Sequence, residues 1–275
     1  MIYFVATPIG NLEDITLRAL GILKSADIIA CEDTRTSMKL LSKFDIKSKL
    51  VSFHKFNENE MSEKIIKESE DGKIVAIISD AGMPVISDPG NCLTKILRQR
   101  NIEFSVIPGA NAGLCALVLS GLDASSFFFY GFLPEKNVDR KDALTKLSLI
   151  DSTIIFYVAP HNLQKDISDI HSIFGNREVA LVKEITKIHE TVYRFNLCDQ
   201  ICFEKDKEGK FIDPKGEFVM VVSKPEKNEE ENNMTIPEHV RFFINLGLSK
   251  NDAIKKVAKE RNVSKSVIYK EVLNI

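Results

Sequence analysis

The chain has 275 residues, of which 44% are hydrophobic and 28% charged, with a net charge of −2, five cysteines and no tryptophan. These values argue against a disordered chain or a disulfide-stapled scaffold. No apolar run approaches the roughly 18 residues of a membrane helix and the first residues lack a basic leader, so the expectation is a cytoplasmic protein of two modest domains.

Strand-like and helix-like segments alternate through the first half. Residues 2–7 read as an apolar strand running into the turn Thr7 to Asn11, and Asp14 is placed to cap a helix whose Leu17, Leu20 and Leu23 share one face. Asp27 to Cys31 is a second strand, followed by Thr36 or Ser37 as the cap of a helix over Met38 to Leu41. Strands are predicted at 50–54, 74–78 and 104–107, with a charged amphipathic helix at 59–70 and a small-residue helix from Ala112 to Leu122. Such alternation predicts a largely parallel α/β sheet in a first domain, residues 1–124.

A phenylalanine-rich strand ending in a breaker, residues 125–134, opens a second α/β domain over 125–223, with strands at 153–158, 179–185, 191–197 and 217–223 and a helix at 162–174. Phe127 to Phe129 are expected in packing, and Lys136, Arg140, Lys141 and Lys146 on a solvated helix face. The polar segment 224–235 reads as a linker. Residues 236–275 then show three helical patterns, at 237–245, after Ser249 and at 265–273, the last two joined by Arg261, Asn262 and Val263 in the manner of a helix-turn-helix unit. A small cap serving packing or dimerisation is the competing reading of this module. The module carries +4 while the preceding 235 residues carry −6, which favours phosphate contacts with a nucleic acid.

Ligand chemistry is concentrated in loops that follow apolar strands. Ile74 to Ile78 lead into Ser79 to Gly90, where Gly82 and Gly90 open backbone angles closed to other residues, Pro84 and Pro89 remove donors, and Asp80 and Asp88 supply carboxylates. No Gly-x-Gly-x-x-Gly follows the first strand and no Gly-Lys-Ser/Thr loop occurs, which argues against the corresponding NAD and ATP sites. Cys198 and Cys202 have no partners at zinc spacing, and no metal is expected. The Ile9 turn, the Asp80 loop and the Pro108 to Ala112 turn would together line one crevice at the carboxyl ends of strands, where open α/β sheets bind ligands. Asp80 would repel a triphosphate there, so a neutral or cationic nucleoside suits the crevice better.

Several of these segments, taken in order, carry a resemblance: Ala6 to Leu12 with Asp14 to Thr16, Glu32 to Arg35, Ser79 to Gly90, Pro108 to Ala110 and Gly131 to Pro134. Together they closely resemble the tetrapyrrole-methylase superfamily, and over essentially the whole chain the branch that methylates a cytidine 2′-hydroxyl of 16S rRNA in the 30S subunit. The resemblance implies a two-domain α/β fold with S-adenosylmethionine in the cleft between domains, a homodimer, and the terminal helical module typical of that branch. It implies cofactor contacts from Pro8, Ile9, Asp80, Ala81, Gly82, Met83, Asn111 and Ala112 in the first domain and from Tyr157 and Val158 in the second.

A ribose hydroxyl is a weak nucleophile at neutral pH and must be oriented and relieved of its proton. Two clusters qualify for this work. In Glu32-Asp33-Thr34-Arg35, either carboxylate can take the proton while Arg35 grips a phosphate, unless the run is only a helix-capping ion pair. In Lys183 to Glu190, Glu184 and Lys187 stand on a polar strand pattern that reads equally well as a solvated edge. His54, beside Lys55, is a third candidate. Two other readings remain open: a precorrin-type C-methyltransferase of the same fold, and a ligand-sensing regulator that binds nucleic acid through the terminal helices.

Overall fold

The computed structural model describes residues 1–204, 208–226, 234–261 and 263–272. Five parallel strands form the first sheet: β1 (Ile2–Val5), β2 (Ile28–Cys31), β3 (Lys49–Ser52), β4 (Val75–Ile77) and β5 (Phe104–Ile107), in the order β3-β2-β4-β1-β5. β2 and β4 are buried at every position, as strands covered by helices on both faces must be. The covering helices are α1 (Leu17–Ser25), α2 (Thr34–Lys43), α3 (Glu58–Glu70) and α4 (Asn91–Gln99).

α5 (Ala112–Ser120) is apolar on all sides and lies between the two halves of the molecule. Its Ala116 and Leu117 pack against Ile155, Val182, Val219 and Val221 of the second sheet. Arg194 donates from Nη2 to the Leu119 carbonyl at 2.6 Å and from Nε to that of Ser120 at 3.3 Å, placing a cation on the carbonyl end of the helix dipole.

The second sheet is mixed. It comprises β6 (Phe127–Phe132), β7 (Thr153–Val158), β8 (Glu178–Lys183), β9 (Thr191–Asn196) and β12 (Phe218–Val222), in the order β6-β7-β12-β8-β9, with β6 and β7 parallel and the other pairs antiparallel. Two-residue strands β10 (Ile201–Cys202) and β11 (Lys210–Phe211) pair beside it. α6 (Asn137–Ser148) and α7 (Leu163–Phe174) cover the outer face.

The terminal helices α8 (Ile236–Asn245), α9 (Lys250–Glu260) and α10 (Lys265–Glu271) share a core of Val240, Phe243, Ala253, Ile254, Val257, Ala258, Ile268 and Val272. Thr235 and Glu238 form a reciprocal capping box at the start of α8, and Ser249 caps α9. Lys256 ties the module to the second unit by donating to the Leu149 carbonyl at 2.7 Å. Most of the segment read as a linker, residues 227–233, and Asn262 of the helix-turn-helix connection lie outside the described residues.

Several local expectations need correction. α1 is capped by Thr16, not Asp14, because the Thr16 hydroxyl reaches the Ala19 amide while Asp14 is taken up in a 3-10 turn; Leu17 is 87% exposed. α2 starts at Thr34 with Asp33 as its cap, ahead of the expected Thr36 or Ser37. Among the phenylalanines of β6, Phe127 and Phe128 remain 42% and 41% exposed, while Phe129 packs edge-on against Tyr157.

Arg140 is the largest departure. It is 1% exposed, donating to Asp166, to Asp169 at 2.6 Å and to the Pro134 carbonyl at 3.1 Å, so it clamps α6 to α7 from inside. Asp166 is itself 3% exposed, and removing the guanidinium strands a buried carboxylate. Arg140→Met is expected to lower the unfolding free energy by about 3–5 kcal/mol in urea titrations. Replacing Asp166 with leucine in the same chain should recover much of that loss.

Candidate active site

β1 lies between β4 and β5, so the loops leaving all three strands meet at one edge of the first sheet. Thr7 and Gly82 exchange backbone hydrogen bonds of 2.9 and 3.1 Å. The Thr7 hydroxyl donates to the Ser79 carbonyl at 3.2 Å, and the Ser79 hydroxyl to that of Gly82 at the same distance. Gly82 is required here by its φ of +83° and by a β-carbon position only 3.2 Å from Ile9. Asn111 caps α5 by accepting from the Leu114 amide at 3.0 Å, which sets Ala112 as the first helical residue.

The opposite wall comes from the second sheet: Tyr157 to Pro160 at the end of β7, Glu217 to Val219 at the start of β12, Phe132 of β6 and Ile185 beyond β8. A cavity of about 480 Å³ lies between the two walls. Ile9, Asp80, Ala81, Gly82, Met83, Asn111, Ala112, Tyr157 and Val158 all line it, as does Glu32. Pro8 is buried behind the lining and does not reach it. Tyr157 stands edge-on to Phe129 and Phe132, at centroid distances of 5.0 and 5.5 Å. Burial raises its phenol pKa while a backbone hydrogen bond from Gly113 opposes the rise.

Three carboxylates converge on the cavity. Burial, then Glu32 and Asp80, push Asp88 up to about 6. Burial and Asp80 raise Glu32 as well, with Lys55 and His54 pulling it back. Asp80 accepts the Asp33 amide at 3.0 Å, joining the loop after β4 to the turn after β2. Crowded carboxylates in a partly dry space create an attraction for a cation.

The other expected residues lie outside the cavity lining. Asp33 caps α2 and pairs with Arg35 at 2.9 Å, a contact that holds the Asp33 carboxyl below the ordinary range; the Arg35 side chain is 90% exposed. Residues 184–190 form a loop beyond β8 and not a strand, with Glu184 and Thr186 at positive φ. Lys187 donates to Glu184 at 3.1 Å and to Glu217 at 2.9 Å, and Glu184 accepts the Glu217 amide at 2.8 Å. Burial would raise Glu184, but these donors hold it below the usual value. The loop also meets the first unit, since the Asn11 amide donates to Thr186 at 3.1 Å and a β-carbon on Gly10 would stand 2.7 Å from Lys187 Cγ. Glu184 and Lys187 therefore brace the wall of the cleft.

Asp88 is legible in the sequence as a carboxylate of the loop after β4 but carries no local signal of its contact with the cavity. Glu217, Phe218 and Val219 left no local signal, because they join the site only through the pairing of β12 with β7. Among the described residues no group of three or more His, Cys, Asp or Glu side chains is arranged to hold a metal, and no helix is long and apolar enough to cross a membrane.

Comparison with known proteins places this geometry. Residues 1–199 match the family model for tetrapyrrole (corrin/porphyrin) methylases. A protein of Halalkalibacterium halodurans named Ribosomal RNA small subunit methyltransferase I is 43% identical over 273 residues, covering 98% of this chain and 93% of the relative. A Bacillus subtilis protein of the same name is 42% identical over 275 residues, covering 98% and 92%. Among solved structures, uroporphyrin-III-C-methyltransferase from Thermus thermophilus aligns with a TM-score of 0.56 at 20% identity, covering 81% of this chain and 93% of that one. Cobalt precorrin-4 methyltransferase aligns at 0.57 with 15% identity, covering 81% and 94%, a likeness of fold alone. A parallel sheet facing a mixed one across an acidic cleft, with the family match over residues 1–199, shows that the chain belongs to the tetrapyrrole methylase family.

Proposed function

We propose that the chain methylates the 2′-hydroxyl of a cytidine ribose in the decoding region of 16S rRNA, using S-adenosylmethionine and acting as a cytoplasmic homodimer on the assembled 30S subunit. The observation that carries the reading is the 43% and 42% identity, over nearly the whole chain, to proteins named for ribosomal RNA small subunit methylation. The tetrapyrrole enzymes that align at 15–20% identity cover 81% of the chain, which gives the precorrin-type alternative less support. Nothing in the comparisons favours the regulator.

The cavity suits the cofactor on chemical grounds. Its apolar walls, from Ile9 to Val158, accept a flat ring, and Asp80, Asp88 and Glu32 offset positive charge. Ile9 with Pro8 behind it, Asp80 to Met83, Asn111, Ala112, Tyr157 and Val158 are assigned to hold the cofactor. When bound, it supplies an electrophilic methyl group on a sulfonium. The protein's own work is to orient the ribose, exclude water and take the hydroxyl proton.

Glu32 is assigned as proton acceptor, because it alone of the carboxylates in Glu32 to Arg35 lines the cavity and its pKa is raised by burial. Asp33 and Arg35 hold the adjoining turn, and Arg35 remains exposed to meet a phosphate. Glu184 and Lys187 support the opposite wall. The basic terminal helices give a surface for ribosomal RNA, a contact that would weaken with salt. Val106, Leu114 and Val118, exposed by 47%, 49% and 79% on β5 and α5, offer an apolar face for self-association.

Three results are expected. Glu32→Gln should lower single-turnover methylation of unmodified 30S subunits, at saturating S-adenosylmethionine, by about 10²–10⁴-fold, with a much smaller loss of calorimetric affinity for the cofactor; Asp33→Asn should have a far smaller effect on the rate. Asp88 is charged above about 6 and neutral below it, so affinity for the cationic cofactor should fall between pH 7.5 and 5.5, and Asp88→Asn should flatten that dependence. The same raised pKa means that ionised Asp88 costs stability, a cost fully present above about 6 and relieved as pH falls toward the unfolded value. Asp88→Asn should accordingly raise Tm at pH 7.5 and leave it little changed at pH 4.

A further inference from the structure

The segment joining β3 to α3 is a rigid turn beside the site that the chemistry above does not use. β3 neighbours β2 in the sheet, and the Phe53 amide donates to the Cys31 carbonyl at 2.8 Å, one residue before Glu32. Asn57 then closes the turn: its side chain accepts the His54 amide at 2.8 Å and donates to the Ser52 carbonyl at 3.0 Å, and its own amide donates to the His54 carbonyl at 3.0 Å. These bonds leave Lys55 and Phe56 at the tip.

Phe56 is 98% exposed, more than any other large apolar side chain among the described residues. Its ring stands at 66° to the His54 imidazole, with 6.0 Å between centroids, and His54 Nδ1 is buried without a hydrogen-bond partner. Lys55 lies close enough to the cavity to act on both Glu32 and Asp88. The charges are therefore sorted, with carboxylates lining the cavity and the cation Lys55 outside the lining, at its margin. A polyanion that presents one ribose to the cavity must keep its phosphates at that margin.

We propose that Phe56 is a positioning residue on which an RNA base next to the target ribose stacks, with Lys55 meeting the adjoining phosphate. This rests on the ribosomal RNA reading of the site. Aromatic side chains stack unpaired bases of either ring type, and a platform held in a fixed turn orders the strand at little entropic cost. Exposure of a lone phenylalanine is common, but here it coincides with a locked turn, an adjacent cation and a backbone bond to the strand that leads into Glu32 of the cavity lining.

The test uses unmodified 30S subunits and labelled S-adenosylmethionine, with KM for subunits, kcat and calorimetric cofactor affinity measured separately. Phe56→Ala is expected to raise KM about tenfold while kcat, cofactor affinity and Tm are kept. Phe56→Trp should restore KM and Phe56→Leu should not, since volume without a π-face cannot stack. Lys55→Ala should raise KM and reduce the salt slope by about one. An unchanged KM in Phe56→Ala, equal rescue by leucine and tryptophan, or a loss confined to kcat would overturn the platform. A wild-type protein that binds the cofactor but labels no RNA in the subunits would instead overturn the ribosomal reading, and the platform with it.

Discussion

Two backbone hydrogen bonds exchanged by Thr7 and Gly82 hold the floor of the cleft together. They join the exits of β1 and β4, which are neighbours in the sheet but separated by more than seventy residues of chain. The exchange needs the carboxyl ends of the strands in register and a residue at 82 without a β-carbon. Given both, Ile9, Asp80 and Met83 converge on one space. The floor is thus made mostly of main chain, and its shape follows from sheet order more than from any one side chain.

The opposite wall is set by α5, which belongs in sequence to the first unit but packs on the second sheet. An ordinary amphipathic helix would have one face for one sheet. α5 lacks that asymmetry, and Arg194 from β9 holds its end. The Glu184 to Glu190 loop adds a polar clasp against Asn11 and Gly10. Between these supports burial, together with the nearby Asp80, raises the proton affinity of Glu32, and burial with Glu32 and Asp80 raises that of Asp88; a bound cation would relieve that cost directly. The fold therefore stores electrostatic cost at the site where the proposed cofactor would bring positive charge.

Much of this was legible in the sequence where the signal is local. The predicted spans 104–107 and 153–158 coincide with β5 and β7; β7 shows the continuous apolar run of a strand buried between layers, whereas β5 is a half-exposed edge strand. The Gly and Pro loop after β4 was readable because its backbone geometry demands those residues. Helix starts were less so: Asp33, Thr36 and Ser37 are all competent caps, and only the structure shows Asp33 accepting the Arg35 amide. α4 begins at Asn91 behind Gly90, which has no side chain to cap it, so the sequence carries no start signal for that helix. Arg140 looked like one more basic residue on a charged helix, since its partners Asp166 and Asp169 lie on another helix far along the chain. Residues 184–190 have the polar density of an edge strand, but positive φ at Glu184 and Thr186 turns them into a brace.

On the reading proposed above, a cationic nucleoside binds between the Thr7–Gly82 floor and the β7–β12 wall. A crystal structure of the protein grown with S-adenosylmethionine would show whether it does. Density for the cofactor is expected against Gly82, Asn111 and Tyr157, with Asp80 and Asp88 as the nearest carboxylates. Density for the cofactor at any other place on the chain, with this cleft filled by solvent, would contradict it.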